Sequence, residues 1–261
     1  MPTLSALYRY PLKSAHGHSL MQAELGLAGL PDDRAWMVAD ERGRFITGRE
    51  LPQLVTITAS AHETGLRLSA PEHGEVYAPR EAFVHGHPAH VWGTDFGAWH
   101  GADEADAWLS HLLGRPVRLL YTGATQRRAR QHPEVPVSFA DGYPLLVIGS
   151  ESLRQLSDWA GRDFEMARFR PNLVVDGAAA FAEDGWTRLR IGEAVVRVTK
   201  PCGRCVFTTV DPETGAKSRD QEPIRTLARH RKQGGEVVFG MNAIVETPGR
   251  VAAGDAVIPL E

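Results

Sequence analysis

Cysteine is scarce in this 261-residue sequence, which contains only Cys202 and Cys205. Two cysteines three positions apart do not make the disulfide framework of a small secreted protein. They are also too few for a four-thiolate zinc site or a cysteine-ligated iron–sulfur cluster, so we expect no such cluster in this chain. Lysine is scarce as well: four lysines against 25 arginines leave few residues for Schiff-base chemistry.

Long apolar runs and a strong net charge are also absent. No segment approaches the roughly 20 apolar residues that cross a bilayer, and Met1 to Tyr10 lacks the basic region and apolar core of a signal peptide. The net charge of -3 leaves no basic footprint for nucleic acid. We therefore expect a cytoplasmic protein that binds neither membranes nor nucleic acids.

The pattern of apolar residues indicates mostly strands. Short β-type runs dominate the first ninety residues, and Gly, Pro and Asp clusters separate them. This spacing favours a meander or a barrel over a βαβ series. Helices are predicted at 103–113, where Gly114 follows the last turn, at a segment that begins with Ser150 as N-cap, and near 223–231.

An Arg-rich stretch that contains proline, 126–136, marks a soft boundary between two parts of the chain. We expect a β-rich α+β fold, with an N-terminal β-barrel-like module at 1–122 and a barrel-like core at 123–261. A few helices cover the strands, and the two parts pack together.

Both cysteines lie in one turn-like segment, Cys202-Gly-Arg-Cys205, and the β-branched run 206–210 follows it. A thiolate is a soft metal ligand and a nucleophile, and a neighbouring arginine such as Arg204 lowers the thiol pKa that controls both properties. The run after the cysteines predicts a strand, with a cysteine sulfur at its start. The spacing also fits a dithiol redox pair, part of a zinc site, or two small buried hydrophobic side chains.

Other segments place polar side chains beside predicted strands. Lys13 and Ser14 follow the first strand, where they suit a phosphate or form a solvated strand end. Arg34 begins a strand and can bind an anion or pair with a neighbouring aspartate. Arg170 precedes a proline and suits an oxyanion, a pterin edge or a structural role. Asn242 lies near a glycine that allows either close approach of a ligand or a strand bulge.

Taken in order, these segments resemble the MOSC family, named for the C-terminal domain of molybdenum cofactor sulfurase. The likeness is to two-part members with an N-terminal β-barrel module, such as the mitochondrial amidoxime-reducing component and its bacterial relatives. The most specific stretch is the Cys-Val-Phe-Thr-Thr-Val-Asp-Pro block at 205–212. The matching stretches span nearly the whole chain and are 10–14, 33–36, 138–146, 169–172, 202–212 and 248–255.

The resemblance implies a molybdenum cofactor in which Cys205 is the metal ligand and the catalytic thiolate, while Cys202 is dispensable. It also places Asp211 beside the metal pocket, either as a catalytic residue or as a turn former. The residues that it assigns to the cofactor's phosphate and pterin are Lys13, Ser14, Arg34, Arg170, Asn172, Gly203, Arg204 and Asn242.

The implied activity is the reduction of N-hydroxylated compounds, such as amidoximes, hydroxylamines and N-hydroxylated bases, by a monomeric enzyme. Because the chain has no cysteines for a cluster, its electrons would come from a separate protein, which is ferredoxin-like, cytochrome b5-like or a flavoprotein reductase. Three alternatives stay open: a non-redox carrier of cofactor or sulfur on Cys205, a pyridoxal-phosphate-binding role by family analogy, and a thiol–disulfide module that needs Cys202.

Overall fold

The computed structural model describes residues 1–123, the backbone of 127–128, and residues 134–260. Most of the stretch 126–136, which the sequence marks as a boundary, lies outside the described residues. Within them the chain forms three α-helices and many short strands. The helices are α1 Asp103–Leu113, α2 Ser150–Ala160 and α3 Ile224–His230. The strands are β1 Thr3–Arg9, β2 His18–Leu20, β3 Gln22–Leu25, β4 Trp36–Ala39, β5 Thr58–His62, β6 Gly65–Ala70, β7 Gly74–Pro79, β8 His85–Val91, β9 Thr94–His100, β10 Arg118–Tyr121, β11 Arg127–Arg128, β12 Pro136–Val137, β13 Leu145–Gly149, β14 Leu173–Asp176, β15 Arg188–Ile191, β16 Ala194–Gly203, β17 Lys232–Gln233, β18 Glu236–Thr247, β19 Gly249–Ala252 and β20 Val257–Leu260.

The largest sheet has the order β2-β1-β14-β13-β18-β16-β15-β20, and β17 pairs with β18. A bridge between Thr3 and Ala256 joins β1 to the residue before β20, so that the sheet curls back on itself like a barrel. Its interior is apolar, because alternate residues of strands such as β15 and β16 are buried in one cluster. The expected β-rich fold with a barrel-like core is thus confirmed.

The N-terminal half forms smaller sheets, with the orders β4-β10-β9-β8 and β5-β6-β7. A second apolar core, which includes the fully buried Trp36, packs β4, β10 and β5–β7 against α1, and a smaller cluster lies on β8 and β9. The expected division at 122/123 differs from the strand pairing in one respect. The strands β1 and β3 come from the N-terminal part but pair with β14 and β19. The two halves therefore interleave, and a register between residues so distant in sequence cannot be deduced from local pattern.

Two of the helices follow their sequence signals closely. Helix α1 begins and ends at the predicted residues, and Gly114 closes it with a φ of 67°, a left-handed conformation that glycine adopts without strain. Helix α2 begins at Ser150, but Gly149 occupies the cap position and the Ser150 hydroxyl donates to Asp176. The buried carboxylate of Glu183 instead accepts a hydrogen bond from the Gly149 amide at 3.2 Å. None of the described helices is long and apolar enough to span a bilayer.

The strand predicted at 206–210 is wrong. Strand β16 ends at Gly203, before Cys205, and Val206–Thr209 forms a 3-10 turn. The hydroxyls of Thr208 and Thr209 donate to the carbonyl oxygens of Cys205 and Val206, at 3.1 and 2.7 Å. Threonine side chains that bond to nearby backbone compete with the ladder of a sheet. The sulfur of Cys205 is thus carried by a tight turn and not by a strand.

Candidate functional site

An open cleft lies where the loop after β1, the 3-10 turn Met166–Phe169 and the end of β16 meet. Its walls come from both halves of the chain and carry several basic side chains together with both cysteines. The sequence-predicted site residues that line it are Lys13, Ser14, Arg34, Arg170, Asn172, Gly203, Arg204, Cys205 and Asn242. Residues from both ends of the chain thus meet in one place.

Lys13 and Ser14 reach the cleft from the loop that follows β1. The backbone amide of Lys13 donates to the Trp36 carbonyl at 2.9 Å, which fixes the loop on the N-terminal half. The Lys13 ammonium donates to the Phe139 carbonyl at 2.8 Å and forms an ion pair with Asp141. Both residues are buried, so this loop is a built part of the cleft wall and not a solvated strand end.

Arg34 forms the ion pair with a neighbouring aspartate that the sequence offered as one of its two roles. Its guanidinium pairs with the buried Asp33, and it also donates to the side-chain oxygen of Asn172 and to the carbonyl of Arg170, each at 3.1 Å. The Asn172 side chain is held from both ends, because its nitrogen donates to the Tyr8 carbonyl and its oxygen also accepts from the Leu146 amide. Asn172 therefore orients the guanidinium of Arg34.

Tyr10, which the sequence did not single out, lies between two cleft arginines. The guanidinium carbons of Arg34 and Arg170 lie 4.4 and 4.2 Å from the centre of its ring. Guanidinium groups bind aromatic faces through the ring quadrupole and dispersion. Tyr10 is only 2% exposed, so the ring is a fixed spacer that holds two like charges in the cleft wall.

Replacing Gly17 with valine is expected to destabilise the fold through Tyr10. A Cβ atom at Gly17 would lie 2.2 Å from a Tyr10 ring carbon, and the two arginines prevent the ring from moving aside. We expect a loss of about 1–3 kcal/mol in the free energy of unfolding, measured by denaturant titration. Gly86→Val is the matched control, since a Cβ there meets nothing within 4 Å. Equal losses in both variants would contradict the conclusion that Tyr10 is held rigidly between Arg34 and Arg170.

Two arginines leave hydrogen-bonding capacity unused in the cleft wall. Arg170 donates one guanidinium nitrogen to the Ala15 carbonyl, and Arg204 donates to the carbonyls of Phe239 and Phe169 at 2.8 and 3.0 Å. The Nη2 atom of each is buried and has no partner among the described residues. Burial, and next the charge of Arg34, lower the pKa of Arg170 to about 10. An anion in the cleft would accept hydrogen bonds from both nitrogens. Its negative charge would also offset the burial of Arg170 and the repulsion by Arg34.

Backbone conformation also marks these residues. Ser14, Arg34 and Arg170 have φ values of 69°, 50° and 55°, in the left-handed region that residues other than glycine rarely adopt. Such conformations cost about 1–3 kcal/mol each and persist where the surrounding structure enforces them, commonly at ligand sites. Three of the predicted cofactor ligands share this property.

The two cysteines differ in environment. Both line the cleft, but Cys205 is exposed, whereas Cys202 is partly buried against an apolar cluster that includes Leu227 and Phe239. Burial raises the pKa of the Cys202 thiol and keeps it protonated. Cys205 is therefore the more accessible of the two sulfurs.

Asp211 is predicted from the sequence to have either a catalytic role or a turn-forming one. It is not among the described residues that line the cleft. Its carboxylate accepts from the amides of Glu213 and Thr214 at 3.0 and 2.9 Å, and it forms an ion pair with Arg168 at 2.9 Å. This is the turn-forming role that its position before Pro212 suggested.

Asn242 lines the cleft as predicted, and its side-chain amide donates to the Pro201 carbonyl at 3.3 Å. It therefore also ties β18 to the end of β16. Residues that the sequence did not assign complete the wall from the N-terminal half: Thr47, Arg49 and Trp92. Asp141 lines the cleft as well. It lies within 138–146, one of the stretches that carry the resemblance, and its carboxylate is the signal by which the sequence could have indicated it.

Comparison with known proteins follows the same division of the chain. Residues 1–116 match the MOSC N-terminal beta barrel domain, and residues 134–258 match the MOSC domain. The chain is 31% identical to mitochondrial amidoxime-reducing component 1 of Homo sapiens, over 98% of this chain and 82% of that protein. It is 32% identical to mitochondrial amidoxime reducing component 2 of Bos taurus over the same shares. The crystal structure of the YUAD protein from Bacillus subtilis aligns with 98% of this chain and 94% of its own, at 12% identity and a TM-score of 0.46.

Proposed function

Because the chain belongs to the MOSC family, together with the mitochondrial amidoxime-reducing components, we propose that it is a molybdenum-cofactor-dependent oxidoreductase. Its substrates are N-hydroxylated compounds, which it reduces with electrons from a separate protein. An amidoxime, for example, takes up two electrons and two protons and yields an amidine and water. The relatives are named for the reduction of amidoximes, and this name supports the substrate class.

Two guanidinium nitrogens without a partner among the described residues, in a cleft that an exposed thiol also lines, support this proposal most directly. The cofactor carries a phosphate and a pterin with many acceptor atoms, and the free Nη2 atoms of Arg170 and Arg204 are donors of the required kind. Cys205 lines the same cleft and offers a soft sulfur ligand. The residues present therefore fit the group.

In this proposal each polar residue of the cleft has a role. Arg170 and Arg204 would bind the anionic parts of the cofactor, and Lys13 and Ser14 would hold the phosphate end. Asn172 orients Arg34, and Arg34 and Tyr10 orient Arg170. The turn Val206–Thr209 presents Cys205 to the metal. When bound, the cofactor supplies the two-electron chemistry that removal of an N-hydroxyl oxygen requires.

A carrier of cofactor or sulfur is the second candidate, because the exposed Cys205 thiol is accessible to a transfer partner. Cyanide-releasable sulfur on Cys205, in a protein without stable molybdenum, would favour it. The pyridoxal phosphate prediction finds no support in the site. Among the described residues the lysine of the cleft is Lys13, and its ammonium is bound to Phe139 and Asp141.

The activity is tested with protein from a host that makes the molybdenum cofactor. Benzamidoxime is supplied with chemically reduced methyl viologen, and benzamidine is measured by chromatography. We expect turnover that depends on both reagents and on bound cofactor. Molybdenum-loaded protein that leaves benzamidoxime, hydroxamic acids and N-hydroxylated bases unchanged would overturn the reductase proposal.

A cytoplasmic location and a monomeric state stay predictions.

A further inference from the structure

The basic side chains of the cleft differ in how they are bonded. Lys13, Arg34, Arg168, Arg170 and Arg204 each donate at least one hydrogen bond to another described residue. The guanidinium of Arg49 lines the same cleft and makes no hydrogen bond or ion pair within the described part of the chain. An arginine in a cleft wall with all of its donors unused is available to a ligand.

Arg49 is nevertheless held in place. Its guanidinium carbon lies 4.5 Å from the centre of the Trp92 ring, and its backbone carbonyl accepts a hydrogen bond from Lys217 at 3.0 Å. Trp92 is itself fixed, since its indole nitrogen donates to Asp141 at 2.7 Å and its ring packs 5.0 Å from that of Phe45. A stacked guanidinium keeps the donors at its edge free, and a fixed side chain loses less entropy when it binds a ligand.

The pair lies on the open side of the cleft. Trp92 is 40% exposed at the turn between β8 and β9, whereas Lys13, Ser14 and Asn172 are each less than 10% exposed. The buried residues are those that hold the cofactor in the proposed function. Arg49 and Trp92 therefore face the side from which a substrate enters.

We propose that Arg49 binds an anionic group of the substrate, a carboxylate or a phosphate, and that Trp92 is the platform that positions it. The inference rests on the proposed function and narrows its substrate class to acidic N-hydroxylated compounds. Planar guanidinium donors match the paired oxygens of a carboxylate or phosphate. In the preferred substrate, the negatively charged group then lies at a distance from the N-hydroxyl group that reacts.

The test compares two substrates with the same reacting group, benzamidoxime and 4-carboxybenzamidoxime. We expect wild type to favour the acid in kcat/KM, and Arg49→Met to lower the ratio of acid to neutral about tenfold or more, since a charge-assisted hydrogen bond is worth about 1.5–3 kcal/mol. Arg49→Lys keeps the positive charge but lacks the paired N–H donors of a guanidinium. Its ratio of acid to neutral kcat/KM should therefore lie between those of wild type and Arg49→Met. Arg42→Met removes an exposed arginine of the same half that does not line the cleft and serves as the matched control.

Molybdenum content is measured on the same samples. An unchanged substrate ratio in Arg49→Met would overturn the proposal. Loss of molybdenum with an unchanged ratio would assign Arg49 to the cofactor's phosphate instead. If wild type reduces neither of these substrates, nor the hydroxamic acids and N-hydroxylated bases named above, the proposed function fails, and Arg49 is tested by calorimetry with benzoate and its neutral isostere benzamide. Selective loss of benzoate binding in Arg49→Met supports the anion site, and equal binding of the two ligands by wild type overturns it.

Discussion

Replacing Cys205 with serine is expected to lower the turnover of benzamidoxime by about 10³-fold or more, the scale seen when a residue that makes the reacting centre is removed. Serine keeps the size of the side chain and the turn that carries it, because that turn is held by Thr208 and Thr209 and not by the sulfur. What changes is the ligand: a hydroxyl stays protonated where a thiol ionises, and it is a harder donor. The rate with reduced methyl viologen measures the effect.

Cys202→Ser is the matched control for this variant. Cys202 is partly buried, and its thiol pKa is raised by burial, so it supplies no thiolate to the cleft. We expect turnover within about threefold of wild type, since the altered side chain touches no reacting group. Abolished activity in Cys202→Ser would contradict the assignment and support a thiol–disulfide mechanism that uses both cysteines.

Replacing Arg170 with methionine is expected to weaken cofactor binding about a hundredfold. The loss follows from the unpartnered Nη2 atom, which an anion in the cleft would accept from, at about 1.5–3 kcal/mol for a bond to a charged group. Bound pterin and molybdenum, measured after gel filtration at several protein concentrations, report the change.

The cofactor-free form of Arg170→Met should show no comparable loss. The lowered pKa of Arg170 means that the fold disfavours its charge, chiefly through burial and next through Arg34. Removing that charge offsets the lost contacts with Ala15 and Tyr10, so we expect the free energy of unfolding to fall by no more than about 1 kcal/mol. Arg188→Met, which breaks an exposed pair with Glu246, is the control for removing a charge elsewhere. A large loss of stability with normal cofactor binding would mean that Arg170 is structural.

Much of the site is predictable where one motif carries it. The segment from Cys202 to Pro212 carries the resemblance that assigns Cys205, and the same resemblance assigns Lys13 and Arg34, whose places beside strands leave their roles open. The role of Tyr10 is not predictable, because it arises from two arginines that are distant in sequence and meet on one ring. Arg49 is missed for a related reason: its guanidinium has no hydrogen-bond or ion-pair partner among the described residues, and only the assembled cleft reveals this.

The fold also has features that the local sequence predicts and features that it does not. Helix α1 is encoded locally by its apolar face and the glycine after it, and the sequence predicts both ends. The turn after Cys205 misleads, since its β-branched residues favour a strand while their hydroxyls bond to the backbone. The pairing of β1 with β14 joins residues about as far apart as Leu7 and Leu173, and no local pattern specifies it.

Molybdenum content by mass spectrometry tests the central claim most directly. Wild type, Cys205→Ser and Cys202→Ser are expressed in a host whose other molybdenum enzymes are loaded. We expect near-equimolar molybdenum in wild type and in Cys202→Ser, and a sharp fall in Cys205→Ser. Wild-type protein without molybdenum from such a host, or equal molybdenum in all three proteins, would contradict the assignment of Cys205 as the ligand of a resident metal.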